Sequence, residues 1–201
     1  MIDEKSAAQG FNESRLPHFS EEDSAMILGS SDFLGLNIYT SFLVFPEVAD
    51  ISQVDFYADQ DVATYQDETW TPTGASWLKV TPWGIRRAIG WASQRYNRPD
   101  IYITENGVST KLRNLDDLHR VYYLKHYINQ VLKSIVLDGV NVLGYYAWSL
   151  VDVFEWTAGY TENFGLHRVN MTDPERPRTP KLSASYYSGI VDENGFVEGE
   201  C

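Results

Sequence analysis

A carboxylate, Glu105, stands directly after the apolar run Ile101-Tyr102-Ile103-Thr104 and directly before the turn dipeptide Asn106-Gly107. At the end of a buried strand a carboxylate sits in a cleft where its ionisation can be tuned, which suits a nucleophile or a proton-transfer group. A solvated loop glutamate would occupy the same position, and spacing alone does not separate the two. Further along, the stretch WSLVDVFEWTAGYTENF sets Trp148, Phe154, Trp156, Tyr160 and Phe164 among Asp152, Glu155 and Glu162. Aromatic faces stack on the C–H surfaces of a sugar ring while carboxylates accept its hydroxyls, so the mixture fits carbohydrate binding. An aromatic-rich core with acids at its rim has the same composition.

Other chemistries find little support. The histidines His18, His119, His126 and His167 show no metal-ligand spacing, and His119 and His126 read as surface or packing residues of a helix. No phosphate loop, GxGxxG fingerprint or GxSxG elbow occurs. The single cysteine, Cys201, is the last residue, so neither an internal disulfide nor a paired-thiol zinc site can form. No cofactor or metal is implied. With Lys+Arg 16 against Asp+Glu 28 the net charge is −12, which argues against a nucleic-acid or anionic-membrane partner.

The elements that must position these groups can be read from periodicity. Three short apolar runs, 32–39, 101–104 and 140–148, are bounded by Gly, Asn or Asp, as strands buried on both faces of a parallel sheet should be. A helix is predicted between the second and third, with Leu118, Val121, Tyr122, Ile128, Val131, Leu132 and Ile135 on its apolar face. Asn114 would cap it and Gly139 would end it. Thr81-Pro82 starts another helix, continued by Ile85, Ala88, Ile89 and Ala92. This alternation predicts parallel βα units, with functional groups gathered at the carboxyl ends of the strands. The acidic segment 42–77 lacks periodicity and reads as a lid or binding wall. The 201 residues suit one domain. The opening MIDEKSAAQG has no signal-peptide core, and no run approaches a membrane span. Asn12-Glu13-Ser14 and Asn170-Met171-Thr172 fit the N-glycosylation pattern, a pointer to a secreted or ectodomain parent.

IYITENGVS and GYYAWSLVDVFEWTAGYTENFGLHRVN resemble the nucleophile and sugar-binding motifs of family 1 glycoside hydrolases, the β-glucosidase family. SRLPHFSEED, LGLNIYTS and PRTPKLSASYY resemble further motifs of that family in the same order, from about Ser14 to Phe196, with wording most like its animal, lactase-type members. The resemblance implies an α/β chain forming the C-terminal part of a (β/α)8 barrel, incomplete because only about three of the eight strands are found. It implies that Glu105 is the nucleophile, that Tyr39 hydrogen-bonds it, and that Asn37 is a polar neighbour. Glu155 and Trp156 would hold the sugar hydroxyls, Trp148 would stack beneath the ring, and Phe164 and Trp77 would be walls, Trp77 on the leaving-group side. The substrate implied is a small-molecule β-glycoside, hydrolysed with retention and without a cofactor.

The sequence departs from the family pattern at Val153, where asparagine is usual, and at Asn163, where arginine is usual; both departures are expected to alter supporting hydrogen bonds rather than a reacting group. The acid/base glutamate of a TFNEP-like motif has no counterpart. Phe11-Asn12-Glu13-Ser14 imitates it but follows no strand, so Glu13 is rejected as the acid. A non-catalytic carbohydrate-binding or scaffold protein, or a truncated product without independent function, are the alternatives to a glycosidase.

Overall fold

The computed structural model describes residues 1–112 and 114–196; Cys201 lies outside the described residues. In chain order the elements are α1 (Ile2–Ala8), α2 (Glu21–Ile27), β1 (Leu34–Asn37), β2 (Leu43–Pro46), α3 (Phe56–Asp59), β3 (Val62–Tyr65) and α4 (Pro82–Arg95). β4 (Ile101–Asn106), α5 (Leu118–Val136), β5 (Val142–Ala147), β6 (His167–Val169), β7 (Arg178–Pro180) and α6 (Leu182–Glu193) follow. They form two compact units: Met1–Asp32 with Phe42–Asp67, and Phe33–Ser41 with the chain from Glu68 onward.

In the first unit β2 and β3 pair as an antiparallel hairpin. Lys5 Nζ reaches Asp61 Oδ1 and the Ala58 carbonyl, both at 2.8 Å, and Arg15 grips Asp59 through two bonds of 2.9 and 2.6 Å. These pairs tie the N-terminal stretch to the hairpin, and Arg15 holds the Asp59 carboxyl below its ordinary range. The expected aperiodic reading of 42–77 is therefore corrected in its first part: β2, α3 and β3 lie within 42–67, and part of its acidity is used by Lys5 and Arg15. Its strands are four residues each, too short for alternation to stand out.

The second unit is built on a parallel sheet in the order β1-β4-β5. Pro82 opens α4, and Ile85, Ile89 and Ala92 are buried along one stripe of it, as helical spacing predicts. The Thr81 hydroxyl does not cap the helix; it donates to Ser41 Oγ at 3.0 Å. On α5 the buried stripe is Tyr123, Leu124, Tyr127 and Val131, while Leu118 and Tyr122 are exposed. The predicted face is thus rotated by about one residue. Its cause is polar: the Tyr123 and Tyr127 hydroxyls both donate to the Tyr39 carbonyl, at 2.7 and 3.0 Å, so two tyrosines enter the core with their polar ends satisfied. The helix begins after Asp117, not Asn114, and the Asp117 carboxylate serves Arg120 and Ser183 instead of a cap.

These helices cover one face of the sheet, forming a core of Ile85, Ile89, Ile101, Ile103, Tyr123 and Tyr127. The opposite face carries Phe33 and Tyr146, each more than half exposed. Burial on both faces, expected from the apolar runs, holds on the helix side alone. Three strands leave the sheet open, and no closed barrel exists among the described residues.

Candidate active site

Parallel strands bring their carboxyl ends to one edge, and the register sets what meets there. Asn37 at the end of β1 lies level with Glu105 at the end of β4, and Asn106 lies level with Ala147 of β5. The Thr104 hydroxyl donates to Asn37 Oδ1 at 2.6 Å, linking the two strand ends. Two residues beyond β1, the Tyr39 hydroxyl donates to Glu105 Oε2 at 2.6 Å. Burial above all, then the bond to Glu105 and its charge, raises the Tyr39 phenol far above its ordinary value, so it stays a protonated donor. Trp77 and Phe164 meet the Tyr39 ring edge-on, at 5.7 and 6.1 Å between centroids.

The chain leaving β5 passes Trp148 and folds back over the Glu105 turn. A Cβ on Gly107 would lie 1.8 Å from the Trp148 carbonyl oxygen, so only glycine permits this approach. Beyond it the Glu155 amide donates to the Gly159 carbonyl at 2.7 Å, closing a 3-10 turn over Trp156–Ala158 with Trp156 in a left-handed conformation. Burial raises the Glu155 pKa, helped by the charges of Glu162 and Glu105 and opposed by the neighbouring Trp148 indole. Glu155 Oε2 is buried and accepts no hydrogen bond among the described residues. An acceptor held in this state is ready for a ligand hydroxyl.

Asn37, Tyr39, Trp77, Glu105, Trp148, Glu155, Trp156 and Phe164 all line one cavity of about 610 Å³. The structure therefore brings together every residue to which the family resemblance gives a role, whereas Asp152, Phe154 and Tyr160 of the aromatic and acidic stretch do not line the cavity. Ser76, Thr157, Ala158 and Glu162 line it as well. Glu162 stood in the recognised stretch without a role, whereas Ser76, Thr157 and Ala158 have no chemical signature in sequence. The cavity aromatics differ in exposure: Phe164 is buried at its wall, while Trp156 is 79% exposed.

Asp152 is not among the cavity residues. Its Oδ1 accepts from Lys181 Nζ at 2.8 Å and from the Gly165 amide at 3.0 Å, and Lys181 also reaches the Gly165 carbonyl at 2.7 Å. Both side chains are buried, and burial lowers the Lys181 pKa. This pair anchors the loop after β5 to the start of α6. Asp152→Ala would strand a buried ammonium, and urea unfolding is expected to show a loss of about 3–5 kcal/mol. A loss below about 1 kcal/mol would show that the pair contributes little.

Asn163 is buried; its carbonyl accepts from Arg120 at 2.8 Å and its Nδ2 donates to the Thr110 carbonyl at 3.0 Å, joining the two loops that flank the cavity. Nothing in the structure explains Val153. Glu13 is exposed between α1 and α2 and does not line the cavity. The described residues contain no cluster of His, Cys, Asp or Glu suited to a metal, and no helix long and apolar enough to cross a membrane.

Residues 3–196 match Glycosyl hydrolase family 1, and the chain belongs to that family. It is 46% identical over 198 residues to human lactase/phlorizin hydrolase, a match covering 98% of this chain and 10% of that protein. Among solved structures it resembles an aphid myrosinase, with a TM-score of 0.86 at 36% identity, covering 95% of this chain and 41% of that one. It also resembles a rice β-glucosidase mutant in a covalent complex with Glc, with a TM-score of 0.83 at 32% identity, covering 92% and 41%. The chain thus spans about two-fifths of these solved structures.

Proposed function

We infer that the chain is the C-terminal part of a (β/α)8-barrel β-glycosidase, which hydrolyses O-glycosyl bonds with net retention and uses Glu105 as nucleophile. The carrying observation is the 2.6 Å bond from Tyr39 to Glu105, opening on a cavity where Glu155 presents an unused acceptor. A Glu105 oxygen attacks the anomeric carbon; the carbon–oxygen bond to the aglycone breaks, and the leaving oxygen takes a proton from a second carboxylic acid. Water then attacks the anomeric carbon and gives its proton to the second carboxylate, which becomes the acid again; the bond to Glu105 breaks and its carboxylate is restored. Tyr39 fixes the attacking carboxylate, Glu155 holds hydroxyls of the sugar, and Trp148 and Trp156 supply apolar surface for the ring. The covalent complex with Glc named for the rice relative supports this route.

Retaining glycosidases place the two carboxyl groups about 5–5.5 Å apart. The remaining carboxylates of the cavity, Glu155 and Glu162, belong to the loop assigned to the sugar, so the acid is assigned to sequence outside these residues. That missing partner favours one second reading, a sugar-binding protein without turnover. An activated 2-deoxy-2-fluoro-β-glucoside, whose leaving group needs no proton, separates the two. The glycosidase reading expects a stoichiometric burst of leaving group from the full chain. Glu155→Ala should slow that burst about 10–100-fold at low reagent, since hydrogen bonds to a charged group contribute about 1.5–3 kcal/mol. Identical bursts would remove Glu155 from the site.

A further inference from the structure

Beside Glu105 the parallel ladder is irregular on both sides: the register shifts between Leu36 and Asn37 on β1, and between Ile103 and Asn106 against β5. Strand pairing is thus sparser where the reacting groups need to be held most firmly: the Ile38 amide still donates to the Glu105 carbonyl at 2.9 Å and the Trp148 amide to the Asn106 carbonyl at 2.8 Å, but the register between these bonds and the regular ladder slips. Asn106 sits at that point, fully buried. Its Nδ2 donates to the Ile38 carbonyl at 2.6 Å and to the Tyr123 hydroxyl at 3.0 Å, and its Oδ1 accepts from the Tyr145 hydroxyl at 2.6 Å. The Tyr123 hydroxyl in turn donates to the Tyr39 carbonyl, which Tyr127 also holds, and Tyr127 accepts from the Thr81 amide at 2.8 Å.

We propose that Asn106 is a positioning residue that reinforces the irregular ladder and, with the Ile38 amide bond to Glu105, holds the backbone of 38–39, and through it the Tyr39 hydroxyl, against Glu105. The proposal rests on Glu105 being the nucleophile. An amide suits the task because it donates on one side and accepts on the other. The Tyr145 hydroxyl, as donor, fixes which side is which. A hydrophobic residue of equal size would fill the space but leave the Ile38 carbonyl, Tyr123 and Tyr145 to find other partners. The Tyr39 hydroxyl would then be free to drift from its 2.6 Å contact.

The test compares the full chain with Asn106→Leu, Tyr145→Phe and, as a control, Val131→Ala, which loosens the same core without touching this network. The activated 2-fluoroglucoside is the probe, and its saturating rate and half-saturating concentration are read separately, alongside thermal unfolding. Displacement of a reacting group by about 1 Å can cost 10²-fold. Tyr145→Phe and Asn106→Leu are expected to lower the saturating rate about 10–100-fold with the half-saturating concentration little changed. Val131→Ala should lower the melting temperature yet keep the wild-type rate. A wild-type rate in Tyr145→Phe, or equal slowing in Val131→Ala, overturns the proposal. If the unsubstituted chain takes no label, the nucleophile reading fails and crystal structures decide the positioning. A Tyr39–Glu105 separation beyond about 3.5 Å in either network variant supports it, and an unchanged contact in both overturns it.

Discussion

Glu105→Gln is expected to reduce glycosyl transfer to the uncatalysed background while leaving the chain folded. The amide keeps the shape of the side chain and can still accept from Tyr39, so one hydrogen bond changes character and stability should shift by no more than about 1 kcal/mol. What disappears is the anionic oxygen that forms the bond to the anomeric carbon. Removal of a covalent nucleophile carries losses on the order of 10⁶-fold. Release of leaving group from the activated glucoside checks the outcome, with circular dichroism as the control for folding. Residual activity within tenfold of the unsubstituted chain would take the nucleophile's role from Glu105.

The second large effect is a contrast between substrates. The 201-residue chain should release little or no alcohol from an unactivated alkyl β-glucoside, although an aryl glucoside with a strongly acidic leaving group should react measurably. General acid assistance contributes about 10²–10⁴-fold, and an alkyl leaving group feels its full loss. The groups facing the cavity explain the expectation: Glu105 is engaged by Tyr39, and Glu155 and Glu162 belong to the loop assigned to the sugar. Alkyl glucoside turnover at ordinary enzymatic rates would show that Glu155, Glu162 or another carboxylate of this chain protonates the leaving oxygen.

Much of the second unit was legible because its signals are local. Apolar runs located β1, β4 and β5, and Pro82 with its apolar stripe located α4. The site residues were legible through motif wording, since spacing alone left Glu105 and the aromatic stretch with two readings each. The rest depended on partners remote in sequence. The stripe of α5 is set by where the Tyr123 and Tyr127 hydroxyls find the Tyr39 carbonyl. Asp152 reads as a site acid until Lys181, 29 residues on, is seen to take it. The hairpin of β2 and β3 escaped because four-residue strands carry almost no period, and its acids declare their purpose only beside Lys5 and Arg15. An exposed sheet face was hidden for a simpler reason: an apolar strand reads alike whether or not a further layer covers it.

The most direct measurement is mass spectrometry of the intact chain, and then of its peptides, after incubation with the activated 2-deoxy-2-fluoro-β-glucoside. A glycosyl-enzyme through Glu105 predicts one added fluoroglucosyl group, found on the peptide that contains Glu105 and absent from the Glu105→Gln chain. Attachment to Glu155 or Glu162, or equal labelling of the Glu105→Gln chain, would contradict it.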